Sequence, residues 1–198
     1  MDLDIFKAIK KETKFLKRFN IIMIFLAVIL PLTMYLTGVK TLFYYLYLLI
    51  IEGLILIAIL NKLNSTKIKY NCINNRLKFK TGILTKESML FCDKIILVHT
   101  EKMEEEMEII IVSTVNFKDK NLKPVLKGFY KRFPKLQKEL DIIRKTEEEE
   151  QIYYYQIIRR GGLRKYLLLD CIYKNCVKAV YTSECIENIK IARGQTLV

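Results

Sequence analysis

One histidine, His99, stands in the whole chain of 198 residues, and none of the five cysteines makes a CxxC pair with another. A structural zinc site needs about four close ligands. Cys171, Cys176 and Cys185 are near one another in sequence but have no histidine beside them, so neither a metal nor any other cofactor is expected. The cysteine number is odd, with Cys72 and Cys92 completing the set. That pattern fits reduced thiols better than a disulfide framework. Also missing are GxSxG, HExxH and the glycine-rich phosphate loop. His99 lies near Cys92 and Asp93, but all three fall on one strand-like run, where a lone histidine is more often structural. The expectation is a protein that is not an enzyme.

Acidic residues are in short supply. Lys and Arg number 34 against 21 Asp and Glu, a formal net charge of +13. The excess is strongest over Lys118–Lys145 and moderate over Asn61–Thr100, whereas Glu101–Phe117 is acidic. Such an excess favours anionic partners, phospholipid headgroups or nucleic acid. The chain is also rich in Lys, Ile and Asn, a composition that AT-rich coding produces without any ligand.

Charge is absent from one long stretch. Ile21–Gly38 carries none, and Thr41–Leu60 carries only Glu52. Each is close to the roughly 20 residues that span a hydrocarbon core. Val39 and Lys40 alone separate them, beside Gly38, which permits a tight turn. The reading is a transmembrane hairpin over residues 20–61. Lys7, Lys10, Lys11, Lys14, Lys17 and Arg18 precede the first span; Lys62, Lys67, Lys69, Arg76, Lys78 and Lys80 follow the second. The turn offers Lys40 alone. The positive-inside rule therefore makes this a multi-pass protein of the cell membrane with both termini in the cytoplasm. A signal peptide fits poorly, because there is no small-residue cleavage site and a second span follows at once. Pro31 falls inside the first span, where it is expected to kink the helix. Glu52 is the one ionisable group within the spans, and burying it costs about 2.5 kcal/mol or more. It points either to assembly, as a protonated group bonded to a neighbouring helix in a homo-oligomer, or to an ion pathway. Residues 1–19 have the spacing of a basic amphipathic helix, with Phe6, Ile9 and Leu16 near one face. Such a segment either lies at the headgroup level or serves as a topology signal.

Beyond the spans the period changes to two. Lys67–Ile73 alternates, Asn74-Asn75 turns, Arg76–Lys80 alternates and Gly82 ends the pair. Ser88–Thr100 reads as a third strand, Glu104–Glu106 as a charged turn and Met107–Val112 as a fourth strand. This is an antiparallel meander with one wet face. Leu122, Leu126, Phe129, Phe133, Leu136, Leu140 and Ile143 then recur at helical spacing. Pro124 suits a first-turn position, and Pro134 should break or kink the run. Lys123, Lys127, Lys131, Lys135 and Lys138 form the opposite face, which is either a lipid- or partner-binding face or the solvated side of an ordinary helix. Glu147–Glu150 reads as an acidic linker. Residues 147–198 then read as a C-terminal α/β segment: a strand over Ile152–Ile158, a turn at Arg159–Gly162, a helix over Leu163–Tyr173, a short strand over Cys176–Tyr181, and a helix over Glu184–Arg193 capped by Ser183 and stopped by Gly194. The Arg159–Lys165 patch raises anion binding, although no phosphate-loop fingerprint surrounds its glycines.

Two spans followed by Tyr70, Asn75-Arg76-Leu77, Gly82-Ile83-Leu84 with Lys86, Asp93-Lys94-Ile95 and Val98 resemble the membrane-flanked bacterial pleckstrin-homology-like domain. The resemblance covers roughly residues 21–112. It implies a small curved antiparallel sheet closed by a helix, over residues 62–146, acting in binding rather than catalysis. A proline that the family places before the polar-Ile pair is absent, with Cys92 in that area. The fold class expected is thus α+β: a transmembrane hairpin, then a small cytoplasmic antiparallel sheet with amphipathic helices. The function expected is binding of a protein partner or of anionic phospholipid at the bilayer. The alternatives are an ion-coupled membrane subunit using Glu52, and nucleic-acid binding through residues 118–145, for which no known module is present.

Overall fold

The computed structural model describes residues 4–38, 41–103, 106–116, 121–146 and 152–196. The turn at Val39-Lys40, the acidic residues 104–105 and 147–150, and Lys118 and Lys120 lie outside the described residues. The chain is α+β: two long apolar helices, then a small antiparallel sheet and a larger mixed one.

Helix α1 runs unbroken over Ile5–Thr37. Asp4 caps it, its Oδ1 accepting from the Phe6 N–H at 3.2 Å. Gly38, at φ +65°, ends it in a left-handed conformation that suits glycine. Neither glycine nor proline interrupts the helix before Pro31, so the basic segment and the first apolar run are one rod. The basic N-terminal segment and the first apolar run, expected as two units, are thus continuous from Ile5 onward. Helix α2, Leu42–Thr66, returns alongside α1. Both helices are long and apolar enough to cross a membrane, and no protein covers their apolar stretches.

Strands β1 (Ile68–Ile73), β2 (Arg76–Thr81) and β3 (Ser88–Phe91) form an antiparallel sheet in chain order. Asn74 and Asn75 both have positive φ, the geometry of a two-residue hairpin turn. Leu77 and Phe79 face inward while Arg76 and Lys78 face water, so this sheet has the wet face that its alternation implies. The run from Ser88 to Thr100 is not one strand. A 3₁₀ turn at Cys92–Lys94 breaks it, and β4 (Ile95–Met103) continues in the second sheet. Non-local bonds fix that break: Cys92 N–H donates to the Asn75 carbonyl at 2.9 Å, and Thr114 N–H to the Lys94 carbonyl at 3.0 Å.

Strands β5 (Glu106–Ser113), β6 (Lys123–Pro124), β7 (Tyr154–Ile158) and β8 (Val180–Tyr181) join β4 in the order β6-β7-β5-β4-β8, all antiparallel except the β4–β8 pair. The chain on either side of residues 147–150 therefore shares one sheet. This sheet is covered on both faces. Leu97, Ile110 and Val112 pack on helices α3 (Lys127–Arg132) and α4 (Pro134–Thr146) through Phe129, Phe133, Leu136 and Leu140. Val98, Ile109 and Ile111 face the core shared with the β1–β3 sheet and with helices α5 (Lys165–Asn175) and α6 (Ser183–Ala192). A strand buried on both faces reads as a continuous apolar run, and Ile109–Val112 is one.

Two local expectations change. Pro124 lies in β6 rather than in a helical first turn, and the N-cap of α6 is Thr182, whose hydroxyl accepts from the Cys185 N–H at 3.4 Å. Pro134 does break the helical run, giving α3 and α4.

Candidate functional site

The lysines that share one face at ideal helical spacing do not share one here. Lys123 is in β6, Lys127 and Lys131 are in α3, and Lys135 and Lys138 are in α4 beyond the break. Lys135 is engaged, its Nζ 3.0 Å from Glu184 Oε1, and that contact holds the Glu184 carboxyl down to about 2. Of the five, only Lys123 lines the basic cavity that the structure forms.

That cavity, of about 360 Å³, is walled by Lys123, Arg132, Arg159 and Arg160, with Thr81, Thr85 and Asn121 among its polar groups. Its size lies in the range of small-molecule sites. Each cation arrives by a different route. Pairing of β6 with β7 sets Lys123 opposite Tyr155. Arg132 ends α3 with its guanidinium over the Phe133 ring, 5.1 Å from the centroid. Arg159 and Arg160 follow directly on β7. Glu108, buried on β5, meets Arg159 at 3.0 Å and Arg132 at 3.5 Å, which fixes both guanidiniums. Among the described residues, one carboxylate against four cations leaves the cavity with a net positive charge. Its floor is neutral and polar: Asn121 Nδ2 and Gln156 Nε2 donate to the buried Ser88 hydroxyl at 2.9 and 2.8 Å. Gln156 Oε1 has no hydrogen-bond partner among the described residues.

The cavity adjoins the base of the two long helices. Immediately after Arg160, Gly161 N–H donates to the Ser65 carbonyl at 2.7 Å, near the end of α2. Gly162, at φ +52°, lies against Glu12 of α1; a Cβ there would fall within 2.3 Å of the Glu12 carboxylate. That carboxylate accepts from the Leu163 N–H at 3.3 Å. Lys165, nearly sealed from solvent, donates to the Arg159 carbonyl at 2.7 Å. The Arg159–Lys165 turn is thus the clamp between helices and domain as well as one cavity wall.

Glu52 lies partly buried in α2, and its Oε1 finds no hydrogen-bond partner among the described residues. His99 is 4% exposed, its Nδ1 2.8 Å from the Thr182 hydroxyl. Burial moves its pKa down, so it is a neutral core residue. Sequence reasoning named Lys123 and the Arg159–Lys165 patch separately and missed Arg132 and the Ser88–Gln156 floor. The arginine doublet was the only local signal. Family models, curated proteins and solved structures all give no match to this chain.

Proposed function

We propose that this chain is a multi-pass protein of the cell membrane, with both termini cytoplasmic, whose domain binds anionic lipid headgroups without catalysing a reaction. Insertion rests on the two uncovered apolar helices, and orientation on the lysines that flank them. The antiparallel β1–β3 meander supports the kinship with pleckstrin-homology-like domains that its residues suggest.

The basic cavity beside the helix base carries the proposal. Ser65, bonded to the residue after Arg160, lies five residues beyond Leu60, or about 7.5 Å along a helix at 1.5 Å per residue. The polar layer on each side of a bilayer is about 5–8 Å thick. On this reading Arg160, which precedes Gly161 and lines the cavity, stands close to the depth of the lipid phosphates. Guanidinium groups suit phosphate oxygens through paired, charge-assisted hydrogen bonds.

The test uses full-length protein in nonionic detergent, titrated with short-chain phosphatidylglycerol and, separately, phosphatidylcholine. The anionic lipid is expected to bind at least tenfold tighter, with affinity falling as salt rises. Arg159→Glu with Arg160→Glu should abolish that preference, whereas Lys127→Gln with Lys138→Gln should leave it. Equal binding of the two lipids, or a preference that survives the arginine reversal, would overturn the reading. An oligomeric, ion-coupled role has one observation in its favour, the unpartnered carboxylate oxygen of Glu52.

A further inference from the structure

All five free cysteines belong to the core between β1–β3 and α5–α6 or pack against it, none of them lines the basic cavity, and three of them form a chain of sulfurs. Cys72 of β1 is partly exposed. Its Sγ lies 3.7 Å from the Sγ of Cys92, which opens the 3₁₀ turn and is 1% exposed. Cys176, fully buried at the end of α5, is the second thiol partner of Cys92. The arrangement runs from solvent inward, with Cys92 in the middle. Among the described residues no three His, Cys, Asp and Glu side chains converge as a metal site.

We propose that Cys72 and Cys92 are a redox-modification site, a thiol pair that a hydroperoxide oxidises to a disulfide. Their separation is the first argument. Sulfurs at 3.7 Å must close to about 2.05 Å, a movement of under 2 Å. It falls at a place that can yield: Cys72 is two residues before the exposed Asn74-Asn75 turn, and Cys92 N–H already bonds to Asn75. Accessibility is the second argument. Cys92 is nearly sealed, so the oxidant has to be small and has to enter beside Cys72.

Ionisation supplies the third argument. Hydrogen bonds from Cys176 and then Cys72 stabilise the Cys92 thiolate against the opposing effects of burial and Asp93, and bring it down to about 7. Burial and the same contact push Cys72 up to about 12, and Cys176 is also raised. One proton leaves readily, and it leaves from the central sulfur.

The reaction balances with peroxide as the sole oxidant. The Cys92 thiolate attacks one peroxide oxygen, the O–O bond breaks, and Cys92 becomes a sulfenic acid while hydroxide takes a proton to give water. The Cys72 sulfur then attacks the Cys92 sulfur. The S–O bond breaks, the departing hydroxide takes the Cys72 proton, and a second water forms. Two thiols and one hydrogen peroxide give one disulfide and two waters.

The experiment treats full-length protein in detergent with hydrogen peroxide, quenches with catalase, alkylates free thiols and maps peptides by mass spectrometry without reduction. Two of the five thiols should be lost, with the peptides bearing Cys72 and Cys92 joined and both thiols restored by dithiothreitol. Cys92→Ser should leave Cys72 fully alkylatable at the same dose. The wild-type map stands by itself if that variant folds poorly. Five free thiols, a link from either residue to Cys171 or Cys176, or sulfinic acid on an unlinked cysteine would each overturn the proposal.

Discussion

His99 couples stability to pH. It sits on β4, 4% exposed, and burial, the largest influence, lowers its pKa; nearby Lys135 acts in the same sense and Glu184 opposes both. Its Nδ1 lies 2.8 Å from the Thr182 hydroxyl, which also accepts from the Cys185 N–H. In the unfolded chain an ordinary histidine protonates near 6.5. As pH falls below that value the unfolded state takes up a proton that the native state refuses. Stability is therefore complete above about 6.5 and lost on acidification towards the depressed native pKa, by at most about 1.4 kcal/mol per pH unit. Glu184 and Asp170, both held low in the native state, give up their contributions as pH falls through the ordinary carboxylate range towards their depressed native values. Among the described residues the window between about pH 5 and 6, well below the Cys92 value of about 7, thus belongs to His99. Urea midpoints measured across it should fall with pH in the native sequence and stay level in His99→Gln. A parallel fall in both would assign the effect elsewhere.

Elements were legible where the cause of their formation is local. The long uncharged runs gave α1 and α2, and alternation around Asn74-Asn75 gave the β1–β2 hairpin. The break at Cys92 was not legible, because every residue from Ser88 to Thr100 is compatible with a strand and the sheets diverge through bonds to Asn75 and Thr114. The lysine face failed for a related reason: spacing of four and three runs on through Phe133-Pro134, but the helix does not. Elements also depend on junctions that spacing cannot show. Asn64, near the end of α2, accepts from the Ile83 and Leu84 N–H groups at 2.8 and 3.3 Å, and Gly82, at φ +88°, passes too close for any side chain. Asn64→Ala leaves two amides without their acceptor and is expected to cost about 1–3 kcal/mol. Hydrogen exchange should speed up at Ile83 and Leu84 while the β5 amides stay protected. Unchanged exchange at those two positions would mean that the junction is held by packing alone.

At the scale of the whole molecule, sequence suggested an anchor joined to an independent domain, and the basic cavity shows why that division hid the site. Its walls come from Thr81, Lys123, Arg132 and Arg159-Arg160, which no local pattern relates. The same holds for the first helix. Ile5 is fully buried, the only residue of α1 that is, and a Cβ on Gly194 beyond α6 would lie 3.8 Å from the neighbouring Asp4 carboxylate. Glu12 reaches the Leu163 amide. The N-terminal end of α1 is therefore part of the folded domain. Burying one isoleucine contributes about 1.5–3 kcal/mol, and a charged acceptor on a backbone amide about 1.5–3 kcal/mol more. Residues 61–198 made alone lose both contacts and uncover Gly162 where Glu12 lay. Their melting midpoint should fall about 10 °C below that of the full chain, as a loss of about 3 kcal/mol implies for a domain of this size. Ile5→Asp in the full chain should reproduce a large part of that fall. A fragment as stable as the full chain, together with a silent Ile5→Asp, would make the domain independent after all, and lipid binding could then be measured on it without the helices.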